Sequence, residues 1–127
     1  MESEITIEGD LPGSGIPKTS QIELRERWMR AYRDQPWRLT EYSYELLDQE
    51  RGVRLALHLH DTPVFIDRYR VVVHEHCESP IGQAACHHYA GVPVADGFQA
   101  VDRLLGAWLS DTPPDCSDLI CLDAMQP

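Results

Sequence analysis

Residues 53–60 read VRLALHLH, and their strict alternation decides what kind of fold this chain can build. Side chains on a β-strand point to opposite faces in turn, so Val53, Leu55, Leu57 and Leu59 belong to a core. Arg54, Ala56, His58 and His60 then share the other face. A strand that sorts its residues this cleanly predicts a sheet with one apolar and one polar side.

The same period extends outward. Upstream, WRLTEYSYELL (residues 37–47) is aromatic and alternating and predicts a second strand, joined to the first by a turn at DQERG. Downstream, RYRVVVHEHC (68–77) places Tyr69, Val71 and Val73 on the core side. Arg68, Arg70, Val72, His74 and His76 take the polar side. AACHHYA (84–90) reads as a short fourth strand. In VADGFQAVDRLLGAWLSD, Asp96 is a good N-cap and Gln99 stands in the capping-box position. Phe98, Val101, Leu104, Leu105 and Trp108 follow at helical spacing, which predicts an amphipathic helix packed on the sheet.

Towards the N-terminus, residues 1–18 carry Gly9, Pro12, Gly13, Gly15 and Pro17 and read as a flexible leader. Ser20 and Glu23 match a capping box, and Ile22, Leu24, Trp28, Ala31 and Tyr32 suggest a helix over 21–34, stopped before Pro36. The expected architecture is therefore an α+β domain over residues 19–110. It has a four-stranded antiparallel meander with an N-terminal helix and a C-terminal amphipathic helix on one face. Residues 111–127 form a Pro- and Asp-rich tail.

Composition narrows the function classes. The chain has 127 residues, 43% apolar and 25% charged, which suits one globular domain with its own core. No apolar run is long enough to span a membrane, and the acidic start lacks the features of a signal peptide, so a cytoplasmic protein is expected. A net charge of −10 argues against a general nucleic-acid coat. The charge is uneven, however. Residues 51–90 are balanced at four acids and four bases and hold all six histidines. In a cytoplasmic chain the four cysteines are expected to be reduced.

The histidines give the polar face its chemistry. Pairing the strands with His60 opposite Arg68 and His74 opposite Arg54 keeps both faces self-consistent. Pairing His76 with Cys86 and His74 with His88 in the next hairpin leaves Cys77 on the core side as a small apolar group. One face then collects Arg54, His58, His60, Arg68, Arg70, His74, His76, Cys86 and His88. Three readings follow. His74, His76, Cys86 and His88 could converge on a Zn²⁺ ion, which takes nitrogen and sulfur ligands in a tetrahedron. Alternatively, no cofactor is needed: His74 and His76, with His58 and His88 behind them, transfer protons while Arg68, Arg70 and Arg54 hold phosphate. That pair of roles suffices for RNA cleavage, whose nucleophile is the RNA's own 2′-hydroxyl. The third reading is a solvated or partner-binding face. Phosphate-binding loops, nucleophile elbows, dinucleotide fingerprints and EF-hand loops have no match in the sequence.

The order of EYSYELL, FIDRYR, HEHCESPIGQAACHH and ADGFQAVDRLLGAWLSD resembles the TumE-like proteins of bacterial toxin–antitoxin loci, over residues 37–110. The resemblance implies a small toxin-type protein held by an antitoxin partner and acting on RNA. Cys77, Cys86, the N-terminal segment and the tail depart from that pattern. A different class is also open: a non-enzymatic acidic inhibitor, phage or plasmid encoded, that engages a basic protein through its acidic ends.

Overall fold

The computed structural model describes residues 1–11, 13, 15–59, 63–82, 88–109 and 119–125. Six strands form one antiparallel sheet in sequence order: β1 (Glu2–Asp10), β2 (Gln21–Met29), β3 (Arg38–Asp48), β4 (Val53–Leu59), β5 (Val73–Glu78) and β6 (Tyr89–Ala90). Helix α1 (Pro63–Tyr69) lies between β4 and β5, and α2 (Gly97–Trp108) follows β6. No helix among the described residues is long and apolar enough to cross a membrane.

The four-stranded sheet with an N-terminal helix is therefore corrected to a six-stranded sheet. The expected leader and first helix are the hairpin β1–β2, in register from Glu2↔Met29 to Asp10↔Gln21. The reason lies in the period. Ile22, Leu24 and Trp28 are spaced by even numbers, and the intervening Glu23, Arg25 and Arg27 form the opposite, charged side. Arg27 ion-pairs with Glu2 at 3.1 Å on β1 and Glu41 at 2.9 Å on β3, stitching three strands across that side. Ser20 does not cap a helix. It is fully buried, and its Oγ accepts a 2.8 Å hydrogen bond from Trp108 Nε1.

The core lies between the sheet and α2. Tyr42, Tyr44 and Leu46 of β3, Leu55 and Leu57 of β4, and Cys77 of β5 face Ala100, Leu104 and Trp108 of the helix. The expected cap of α2 is present: Asp96 Oδ1 accepts from Gln99 N–H at 2.9 Å. Gln99 Oε1 in turn accepts from Ala95 N–H, one residue before the cap, at 2.7 Å. The turn from β3 to β4 is organised by buried Asp48, which accepts from Thr19 Oγ1 at 2.8 Å and Arg51 N–H at 3.0 Å.

The strand expected from Arg68 begins only at Val73, because residues 63–69 are helical. Pro63 takes the first helical position, where its missing N–H is harmless. Arg70 ends α1 in the left-handed region at φ 60°. The β4–β5 register moves accordingly: His74 pairs with His58, not Arg54, and His76 with Ala56. In the next hairpin His74 pairs with Ala90, not His88. Both displacements are by an even number of residues, so Arg54, His58, His74 and His76 keep their shared face.

Part of the expected tail also packs. Leu122 is buried, its N–H donates to His88 O at 2.8 Å, and Ala90 N–H donates to Ile120 O at 2.9 Å. Cys77 and Cys121 are both disulfide-bonded, which replaces the expected reduced thiols.

Candidate metal centre

Strand parity delivers three imidazoles to one spot. His58 of β4 stands opposite His74 of β5, and His76 is two residues further along β5 on the same face. His58 and His74 are buried and His76 is half-buried. Their ligand-capable nitrogens lie within 4.8 Å of one another. His88, just before β6, joins the cluster, with ring centres 4.9 Å from His76 and 5.3 Å from His74.

The nitrogens are already differentiated. His58 Nε2 is 2.8 Å from Glu45 Oε1, an arrangement in which the imidazole donates to the carboxylate. The other ring nitrogen, His58 Nδ1, is hydrogen-bonded to His74 Nε2 at 3.3 Å. Two ligand nitrogens on one Zn²⁺, at bonds of about 2.0–2.1 Å and a tetrahedral angle, are separated by about 3.3 Å. A carboxylate behind a ligating histidine is also the usual outer support of such a site.

Glu45 is held in place from several sides. Arg54 grips it in a fork, Nε to Oε2 at 3.1 Å and Nη2 to Oε1 at 3.0 Å, and sends Nη1 to Glu78 Oε2 at 3.1 Å. Burial pushes the Glu45 carboxyl up. Hydrogen bonds from His58 and Arg54 and the Arg54 charge more than offset this and hold it well below the usual carboxylate range. His76 is pushed down to about 2, first by burial and then by the charges of His58, Arg54 and the other imidazoles. It is therefore neutral, as a ligand must be. Its Nδ1 is buried with no hydrogen-bond partner among the described residues.

The outer rim carries other groups. Tyr69, at the end of α1, stacks on His88 with centres 5.4 Å apart and donates from its hydroxyl to Asp123 Oδ1 at 2.9 Å. Asp123 Oδ2 lies 3.8 Å from His88 Nδ1. Gly91 closes the inner side. A Cβ there would come within 2.8 Å of Val73 Cγ1 and 3.1 Å of the His74 backbone, so only glycine lets this segment approach β5.

Four of the residues singled out from sequence thus meet: His58, His74, His76 and His88. The arginines do not share one role. Arg54 is committed to Glu45 and Glu78, Arg68 leaves the sheet on α1 and reaches Asp123 at 3.5 Å, and Arg70 is exposed beyond that helix. Cys86, His60 and His87 lie outside the described residues. Sequence reasoning passed over Glu45, Tyr69 and Asp123. Glu45 had a signal, since it is an acid inside an aromatic strand with the parity of the polar face. The other two depend on where α1 and the tail fold back.

No protein-family model, curated protein or solved structure matches this chain, so its chemistry rests on the geometry of these side chains.

Proposed function

We propose that this protein is a transition-metal-binding domain. His58 Nδ1, His74 and His76 supply three nitrogen ligands, and His88 stands on the side of the fourth position. The observation that carries the reading is the gathering of the His58, His74 and His76 ligand nitrogens within 4.8 Å of one another, His58 Nδ1 and His74 Nε2 being 3.3 Å apart, with Glu45 behind His58. An all-imidazole set suits Zn²⁺ and also Cu²⁺ or Ni²⁺, and disfavours Mg²⁺ and Ca²⁺. When bound, such an ion would supply Lewis acidity. The chain's own residues fix the imidazole tautomers, keep His76 neutral and surround the ligands with buried structure. The disulfide bonds at Cys77 and at Cys121 favour an oxidising compartment over the cytoplasm for this activity.

Calorimetric titration of chelator-treated protein with Zn²⁺ tests the reading. It requires one ion per chain, an intense visible spectrum of the tetrahedral kind with Co²⁺, and loss of both in His74→Ala. No uptake, or uptake unchanged in that variant, removes it. The RNA-cleaving reading uses the same imidazoles without an ion. RNA degradation by chelator-treated protein that disappears in His76→Ala would replace the metal proposal with that one.

A further inference from the structure

The opposite face of the sheet has a second feature, unrelated to the histidines. Helix α2 covers β3 and β4, and a helix is about 10–12 Å across, the width of two strands. The hairpin β1–β2 is left beside it with an apolar surface of its own. Ile5, Ile7 and Leu24 from the hairpin and Phe98, Val101 and Leu105 from α2 line a groove of about 590 Å³. Phe98 is 90% exposed and Ile7 57%, and isolated exposure of that size on a contiguous apolar strip marks an interaction surface.

The charges on the groove are one-sided. Glu26, Asp96 and Asp102 line it, and among the described residues no Lys, Arg or His does. Among the described residues Glu26 receives hydrogen bonds from neutral donors, Tyr44 Oη–H at 2.6 Å and Trp28 Nε1–H at 2.8 Å. Asp96 accepts the capping N–H of Gln99. None of the three has an ion pair among the described residues. We infer that the groove receives an amphipathic α-helix of a basic partner protein. That helix lies beside α2, its apolar stripe on the hairpin and its Lys or Arg flanks on the three carboxylates. A second copy of this chain is the wrong occupant on charge, because it would bring the same carboxylates and a net charge of −10 against them. The width left uncovered matches one helix, and apolar anchors at i, i+3, i+4 and i+7 reach the floor in this mode of recognition.

The test uses the whole protein and labelled synthetic helices, with binding read by fluorescence anisotropy. A helix with a Leu stripe and Lys flanks should bind. The same stripe with Glu flanks, and the Lys helix with its Leu replaced by Ser, should each bind about tenfold more weakly or worse. Phe98→Ser, at a site too exposed to matter for folding, and Asp102→Lys should each weaken the Lys helix by a similar factor. Equal binding of Lys- and Glu-flanked helices, or indifference to Phe98→Ser, overturns the inference. So does sedimentation as a dimer that Phe98→Ser disperses, which would assign the groove to a second copy.

Discussion

The two faces of the central strands β3, β4 and β5 solve the same problem by opposite means. On one side Tyr44, Leu46, Leu57 and Trp108 are removed from water and stabilise the fold mainly through apolar area, about 1.5–3 kcal/mol for each large side chain. On the other, Glu45, Arg54, His58, His74, His76 and Glu78 are also largely removed from water, and each charge must be met by a partner. Neighbouring residues in sequence, such as Leu57 and His58, enter environments with different rules. The apolar face tolerates no loss of volume, whereas the polar face tolerates no loss of a partner.

That contrast can be broken experimentally, first where the effect is largest. Trp108→Ala opens a cavity in the apolar layer and strands the Ser20 hydroxyl, and should cost about 4 kcal/mol in urea unfolding. Arg54→Met fills similar space but leaves Glu45 and Glu78 buried without their cation, and should cost about 3 kcal/mol. The two faces are distinguished by rescue. Adding Glu45→Gln and Glu78→Gln to Arg54→Met should recover most of the loss, whereas no polar change elsewhere should repair Trp108→Ala. A triple variant no more stable than the single one would mean the polar face is held by packing after all.

A smaller effect sharpens the comparison at the histidines. Glu45→Gln keeps the shape of the side chain but weakens its hold on His58, and should lower Zn²⁺ affinity about 10–100-fold in calorimetry. The smallest effect is that of pH on metal-free protein. The native His76 stays neutral down to about 2, while in the unfolded chain it takes a proton below its ordinary 6.5. The unfolded state therefore binds more protons in that window, and the stability present above 6.5 is lost progressively as pH falls. Glu45, held low, adds to the loss once pH drops below the ordinary carboxylate value of 4.5. Thermal melts should decline from pH 6.5 downward, and more shallowly in His76→Asn. A flat acid limb would contradict the burial of that imidazole.

Much of this arrangement was legible in the sequence, and the omissions have physical causes. Strands β3 and β4 and helix α2 carry unmixed periods, two or 3.6, and their boundaries are close to those expected. The histidine face survived two errors of register because pairing slips that preserve burial are even-numbered. The N-terminal hairpin was misread because Ile22, Leu24 and Trp28 fit a helix once Ala31 and Tyr32 are counted with them. Ser20 reinforced the error by resembling a cap. Its true partner, Trp108, is 88 residues away, a distance no local pattern can span. The same holds for Asp123 at the rim of the cluster. Glu45 was visible but had no assigned role until β4 was placed beside it.

Strand β1 has one further consequence, for how concentrated solutions of the protein behave. It is one of the two outer strands of the sheet, and such a strand invites pairing with another chain. Turned about Thr6, a copy of β1 would set Glu4 against Glu8 and Glu2 against Asp10, so at neutral pH every charged pairing is a repulsion. The sheet is thereby kept from growing through its own edge. Acid or high salt should remove that barrier, and slow fibrillar association under those conditions, absent at neutral pH and low ionic strength, is the expected outcome in light scattering.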